Sequence, residues 1–194
     1  MRCARRDIDS FLASRHDWLE QQLKKLAEQP PPRSLQWVQG EMHLVLGRKL
    51  PLQFERAARP AVTLTAAGLT VAAPSHSPEQ VNRHVQRWYR AQGAVVFNEL
   101  IDRHMPWFAD RGHQRPRLTI RDMKTRWGSL SPRGGMSLNL QLMKVPVPLV
   151  EYVVVHELCH LEHANHGPGF KALMDQHMGD WRQRRKALND SELT

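Results

Sequence analysis

Cysteine is nearly absent. Cys3 sits near the start and Cys159 inside an apolar segment, and 2 thiols in 194 residues are not the framework of a disulfide-stapled scaffold, so both are expected to be free. Long apolar runs are missing too: no stretch approaches the roughly 20 residues that cross a bilayer, which argues against a membrane-spanning helix. Met1 to Ser10 are basic but lead into Asp7 and Asp9 rather than an apolar stretch with a cleavage site, so no secretory signal is legible and a cytoplasmic location is expected. Repeats and low-complexity tracts are lacking apart from Pro30-Pro31-Pro32. Acid is in deficit, 19 Asp and Glu against 28 Lys and Arg, leaving a formal charge of +9. Such a balance gathers nucleotides, nucleic acid or acidic proteins around a molecule without identifying any of them.

What is present is ordinary for a soluble globular chain, 41% hydrophobic and 24% charged residues. The length suits one domain with one core. From Asp7 to Gln29 the residues Ile8, Phe11, Leu12, Trp18, Leu19, Leu23 and Leu26 recur at helical steps, and the triple proline stops that helix. Four short β segments follow, at 42–46, 50–56, 61–65 and 69–73, which predict a small antiparallel sheet. Ser77-Pro78-Glu79 starts a second helix, a capping hydroxyl followed by proline in the first turn, expected to reach about His104 before Pro106. Leu118 and Ile120 alternate with polar neighbours, and Met136, Leu138, Leu140 and Leu142 alternate with Ser137, Asn139 and Gln141. These predict two half-buried strands joined through residues 126–129 and the Gly134-Gly135 turn. Pro146 and Pro148 then lead into a segment from Leu149 to about His163 with almost no polar face, a buried central helix. A short helix from about Phe170 and a basic turn or two from Trp181 complete the reading.

The chemistry lies in that central helix, where His156-Glu157-Leu158-Cys159-His160 matches H-E-x-x-H. Four residues are slightly more than one helical turn, so both imidazoles project from one face and can share a metal ion. Glu157, one step along, can reach a water on that ion without being a ligand, the position of a general base. With this content of histidine and glutamate, a chance match is expected roughly 0.03 times in such a chain. Burying these groups without a metal would also be costly.

A catalytic zinc needs a third protein ligand and an open position. His163 and His166 compete. A straight helix would carry His163 about 10 Å along the axis, well past an ion held by the first pair. Gly167 and Gly169 would let the chain turn and bring His166 back, the preferred arrangement, while Glu162 and Asp175 remain as carboxylate alternatives.

Residues 121–129, Arg-Asp-Met-Lys-Thr-Arg-Trp-Gly-Ser, with residues 154–161 and Asn165-His166-Gly167-Pro168-Gly169-Phe170, resemble the YgjP-like metallopeptidase family, relatives of the SprT-like zinc proteases. The resemblance runs from about Ile8 to Leu188. It implies an α+β fold with a minimal zincin-like core: a small antiparallel or mixed sheet on the buried metal helix, preceded by an N-terminal helix and a small β-subregion. It implies one zinc ion on His156, His160 and His166, with Glu157 as catalytic base, and a peptide or unfolded-protein substrate. The chain is expected to be a single domain over 1–194, with the helix and β-subregion in 1–75 and the catalytic core in 76–194, metal helix at 148–163. Leu130 stands where the family usually has cysteine, and the region before the first helix is shortened to Met1 to Arg6.

Around the ion, the strand Met136 to Leu142 is the candidate cleft edge for an added peptide strand, unless it lies inside the sheet. Lys124, Arg126 and Arg133 flank it, so Lys124 or Arg126 is a candidate to stabilise an oxyanion. Alternatively, Lys124, Arg126 or Arg121 would grip a nucleotide polyphosphate, or Arg126 would simply stack on Trp127. Nucleotide pyrophosphatase activity, or a zinc-stabilised module recruited to DNA, are the rival functions. The basic run Arg182, Arg184, Arg185 and Lys186 reads as a solvated helix face.

Overall fold

The computed structural model describes residues 14–16, 18, 20, 21, 23, 24 and 35–191. It divides into two units, 1–35 and 36–194. In the first, the described residues are helical, as the periodicity predicts, but Trp18 and Leu23 of the expected apolar stripe are 53% and 63% exposed. The remaining apolar positions of that helix, the triple proline and Met1 to Arg6 lie outside the described residues.

The second unit is α+β. Strands β1 (Met42–Val45), β2 (Arg48–Arg56), β3 (Ala61–Leu64) and β4 (Leu69–Ala73) form a sheet in the order β1-β2-β4-β3. The four segments fall where the alternation predicts, but the sheet is mixed rather than antiparallel. β3 and β4 pair as an antiparallel hairpin, and β4 inserts beside β2, running parallel to it with Leu52 opposite Leu69. The β1–β2 turn docks on the second half of the unit: the Leu46 and Gly47 amides donate to the carbonyls of Met143 and Lys144.

Helix α1 (Pro78–Ala109) starts at the predicted cap, where the Ser77 hydroxyl accepts from the Gln80 amide. It runs past Pro106, beyond the predicted end. A proline inside a helix costs about 3 kcal/mol. Continuing buries Phe108 completely, which contributes about 1.5–3 kcal/mol and offsets much of that cost. The backbone absorbs the defect, with the Asp110 amide still reaching the Pro106 carbonyl.

A second sheet places β7 (Gly135–Asn139) between β5 (Arg117–Arg121), parallel to it, and β6 (Gly128–Leu130), antiparallel. Two expectations change. The strand predicted to Leu142 ends at Asn139, and Leu140–Lys144 is a 3-10 helix that buries Leu140, Leu142 and Met143. The segment read as a linker contains β6, and it is β6, not the interior β7, that forms the sheet edge nearest the central helix.

That helix, α2 (Val147–Cys159), packs against α1, β6, α3 (Pro168–His177) and α4 (Trp181–Asn189). Val150, Val153, Val154, Val155, Leu158 and Cys159 are buried on all sides, as its missing polar face predicts. Among the described residues no helix is long and apolar enough to cross a membrane.

Candidate metal centre

His156 occupies the last turn of α2, and His160 is its C-cap, so the helix ends four residues before His163. The chain then turns, the Asn165 side-chain oxygen accepting from the Gly167 amide, and His166 folds back over α2. The ring centroids of His156, His160 and His166 are 4.7 to 5.0 Å apart, and one ligand nitrogen from each lies within 4.8 Å of the others. Phe170, in the first turn of α3 and only 2% exposed, touches all three rings at 4.7 to 5.0 Å and forms an apolar floor beneath them.

The donor set suits a metal ion. The Nε2 atoms of His156 and His166 approach to 3.0 Å, close to the separation of about 3.3 Å expected of two nitrogens on one tetrahedral zinc. Burial, and then the neighbouring His160 and His166, push His156 down to about 3, and burial and His160 lower His166 as well. Both rings therefore stay neutral at physiological pH, the state a metal ligand requires. His160 Nδ1 lies 2.9 Å from the His163 carbonyl, which can only accept, so Nδ1 carries the proton and Nε2 keeps its lone pair. The buried Nδ1 of His156 has no hydrogen-bond partner among the described residues, and the ring packs against Tyr152 and Phe170.

The other candidate ligands are engaged elsewhere. His163 contributes its carbonyl to His160 while its ring lies against Gly169, where a Cβ would come within 2.8 Å of it. Glu162 accepts from His113 at 3.0 Å, and Asp175 pairs with Arg182 and accepts from the Trp181 indole at 2.8 Å.

Glu157 is 5% exposed, with its carboxylate against Gly128 of β6, and lines one cleft with all three histidines. Burial pushes its carboxyl up to about 7, against the opposing pull of the Leu130 amide and the Arg126 guanidinium. Its room comes from Gly128, where any Cβ would stand 2.7 Å from Oε1 and 2.9 Å from Cγ. One cleft runs beside these groups between Gly128 to Leu130 of β6 and the side chains of His160, Ala164 and His166. A second opens on the far side of Glu157 and His156, bounded by Arg126, Trp127, Tyr152 and Arg185.

Of the two basic candidates, Arg126 borders this second cleft, and the lining of neither cleft includes Lys124. The stacking of Arg126 on Trp127 is not formed; among the described residues, guanidinium–indole contacts join Arg111 to Trp107 and Arg182 to Trp181. The loop carrying Arg126 is shaped by Asn139, only 3% exposed. Its Nδ2 donates to the Met123 and Arg126 carbonyls, and its Oδ1 accepts from the amides of Met123 and Gln141. Sequence reasoning missed Asn139, Gly128, Tyr152 and Arg185. For Asn139 a signal existed, since asparagine is a poor strand former.

A family model for the YgjP-like metallopeptidase domain matches residues 1–191. Among solved structures, the metallopeptidase zymogen abylysin of Pyrococcus abyssi is 21% identical, covering 47% of this chain and 90% of its own, with a TM-score of 0.41. The zymogen jannalysin of Methanocaldococcus jannaschii is 19% identical, covering 49% and 91%, with a TM-score of 0.39. No curated protein matches. The family match spans almost the whole sequence, both motif regions included, and the chain belongs to the YgjP-like metallopeptidase family.

Proposed function

We propose that this chain is a zinc-dependent peptidase that holds one ion through His156, His160 and His166 and uses Glu157 as its general base. The observation that carries the reading is the convergence of three imidazole nitrogens within 4.8 Å beside a buried glutamate. Neutral imidazoles favour zinc over the oxygen-seeking calcium and magnesium. Zinc bound there supplies Lewis acidity, polarising the scissile carbonyl and making water a nucleophile near neutral pH.

The chain's own residues supply the rest. Glu157 takes a proton from the attacking water at its carboxylate and hands it to the leaving amide nitrogen. Gly128 gives that carboxylate its place, and the Leu130 amide anchors it. An extended peptide lies along the outer edge of β6, in the cleft that β6 shares with His160 and His166, where backbone groups bind it with little demand on sequence. The exposed side of His166 leaves the centre open to substrate.

The test is to incubate zinc-loaded protein with an unfolded protein and count new amino termini, with nucleoside triphosphates in a parallel reaction. Cleavage that disappears on chelation and in Glu157→Gln is expected. Peptide cleavage surviving both treatments rules the mechanism out, and hydrolysis of triphosphates alone replaces the substrate class.

A further inference from the structure

The arginines of α4 do not share one fate. Arg182 pairs with Asp175, and Arg184 with Glu151 and Asp180. Arg185, next in the row, forms no salt bridge to a carboxylate among the described residues; Arg126 forms none either, although its charge is felt by Glu157. Both border the cleft on the far side of His156 and Glu157. One comes from α4, whose buried Trp181 and Leu188 hold it against the core, and the other from the loop that Asn139 ties down. Two guanidinium-bearing residues without a salt bridge, lining one small cleft, are a receptor for an anion able to accept paired hydrogen bonds. The only acid in that lining is Glu157, which is 5% exposed and packed against Gly128.

We propose that the cleft between Arg126 and Arg185 is a specificity subsite that takes a carboxylate of the peptide next to the scissile bond, from an acidic side chain or from the chain terminus. The assignment rests on the peptidase reading above. Size favours a single residue: the cleft encloses about 240 Å³, whereas pockets for whole small molecules run from about 300 to 1,000 Å³. Tyr152, at its wall with its ring against His156, presents a hydroxyl within the field of Arg185. The cleft is thus continuous with the reacting groups, and an anion held there fixes the register of the peptide along β6.

The test separates binding from cleavage. Zinc-loaded Glu157→Gln protein is titrated with capped pentapeptides differing only in a central glutamate or glutamine, and with tetra-alanine as free acid and as amide, read by calorimetry. At least one carboxylate probe should bind about tenfold tighter than its neutral twin, and which one identifies the source. Arg185→Met and Arg126→Met should erase the difference with zinc stoichiometry unchanged, while Arg182→Met leaves it intact. Equal affinity for charged and neutral twins overturns the proposal, as does a nucleoside triphosphate that binds through the same arginines more tightly than either carboxylate. In a second arm the wild-type protein digests an unfolded protein and the cut sites are sequenced. Absence of cutting there counts against the peptidase reading and leaves the binding result standing; cutting without preference for an acidic residue or a chain end counts against the subsite.

Discussion

Gly128 of β6 and Glu157 of α2 claim the same space: a Cβ on the glycine would stand 2.7 Å from the carboxylate oxygen. The backbone of the glutamate is held in a packed helix and its side chain is 5% exposed, so only the side chain can give way. Gly128→Ala should therefore push the carboxylate off its position while leaving the histidines untouched. Displacement of a catalytic group by about 1 Å lowers turnover on the order of a hundredfold. Peptidase assays beside zinc analysis check this; an alanine variant with full activity would show that the carboxylate has slack that the close contact denies.

His163 and His166 should separate cleanly. His166→Ala removes one of three converging nitrogens and should abolish stoichiometric zinc binding. His163→Ala should keep the ion, because the part of His163 that orients His160 is its backbone carbonyl. Equilibrium dialysis with zinc at equal protein concentration distinguishes the two. Loss of zinc from the His163 variant alone would reverse the assignment of the third ligand.

The parts of this site legible in sequence are those set by local geometry. A four-residue step on a helix brings two imidazoles together whatever the tertiary fold, so His156 and His160 could be paired from spacing alone. His166 was reachable by a turn argument, but for a different reason from the one the sequence offers. The helix ends at Cys159, and neither Gly167 nor Gly169 has a left-handed backbone; Gly169 instead makes room for the His163 ring. Contacts between distant segments left no periodic trace. The three residues of β6 are too few to alternate visibly, and Asn139 falls on the polar side of an alternating run although the loop at 122–127 covers it. In the basic run of α4, charge alone could not separate the arginines that carboxylates neutralise from the one that borders the cleft beside His156 and Glu157.

Acid stability should depend on Glu151, which joins three helices by accepting from His104 and Arg103 of α1 and Arg184 of α4. Partial burial raises its carboxyl, but these three hydrogen bonds and the charge on His104 outweigh it and hold the group below its ordinary 4.5. A carboxyl depressed in the fold contributes stability that is present above its unfolded value and lost as pH falls through the folded one. Glu151→Gln should lower stability by about 2 kcal/mol at pH 7, and the gap to wild type should close as pH drops below about 4. Thermal melts from pH 3 to 7 measure it; a gap independent of pH would mean that shape rather than charge is what Glu151 supplies.

Asn139 is the sharpest test of how the loop beside the metal centre is built. Its side chain ends β7, caps the following 3-10 helix and binds the loop at Met123 and Arg126, the last only two residues before Gly128. Asn139→Ala leaves the Met123 and Arg126 carbonyls without their donor, and a buried polar group left unpaired costs about 1–3 kcal/mol. Stability should fall by about 2–4 kcal/mol, as two carbonyls and two amides lose partners together. Zinc binding should persist, because the three histidines lie on α2 and the turn after it. Activity should fall more than zinc affinity does, since Arg126 and the β6 edge depend on this loop for position. Asn139→Asp sharpens the comparison: it keeps the acceptor for Met123 and Gln141, loses the donor, and sets a negative charge against two carbonyl oxygens, so it should destabilise at least as much as alanine. Denaturant unfolding of the zinc-loaded variants gives the order, and an aspartate variant as stable as wild type would show that the two carbonyls do not need the Asn139 amide.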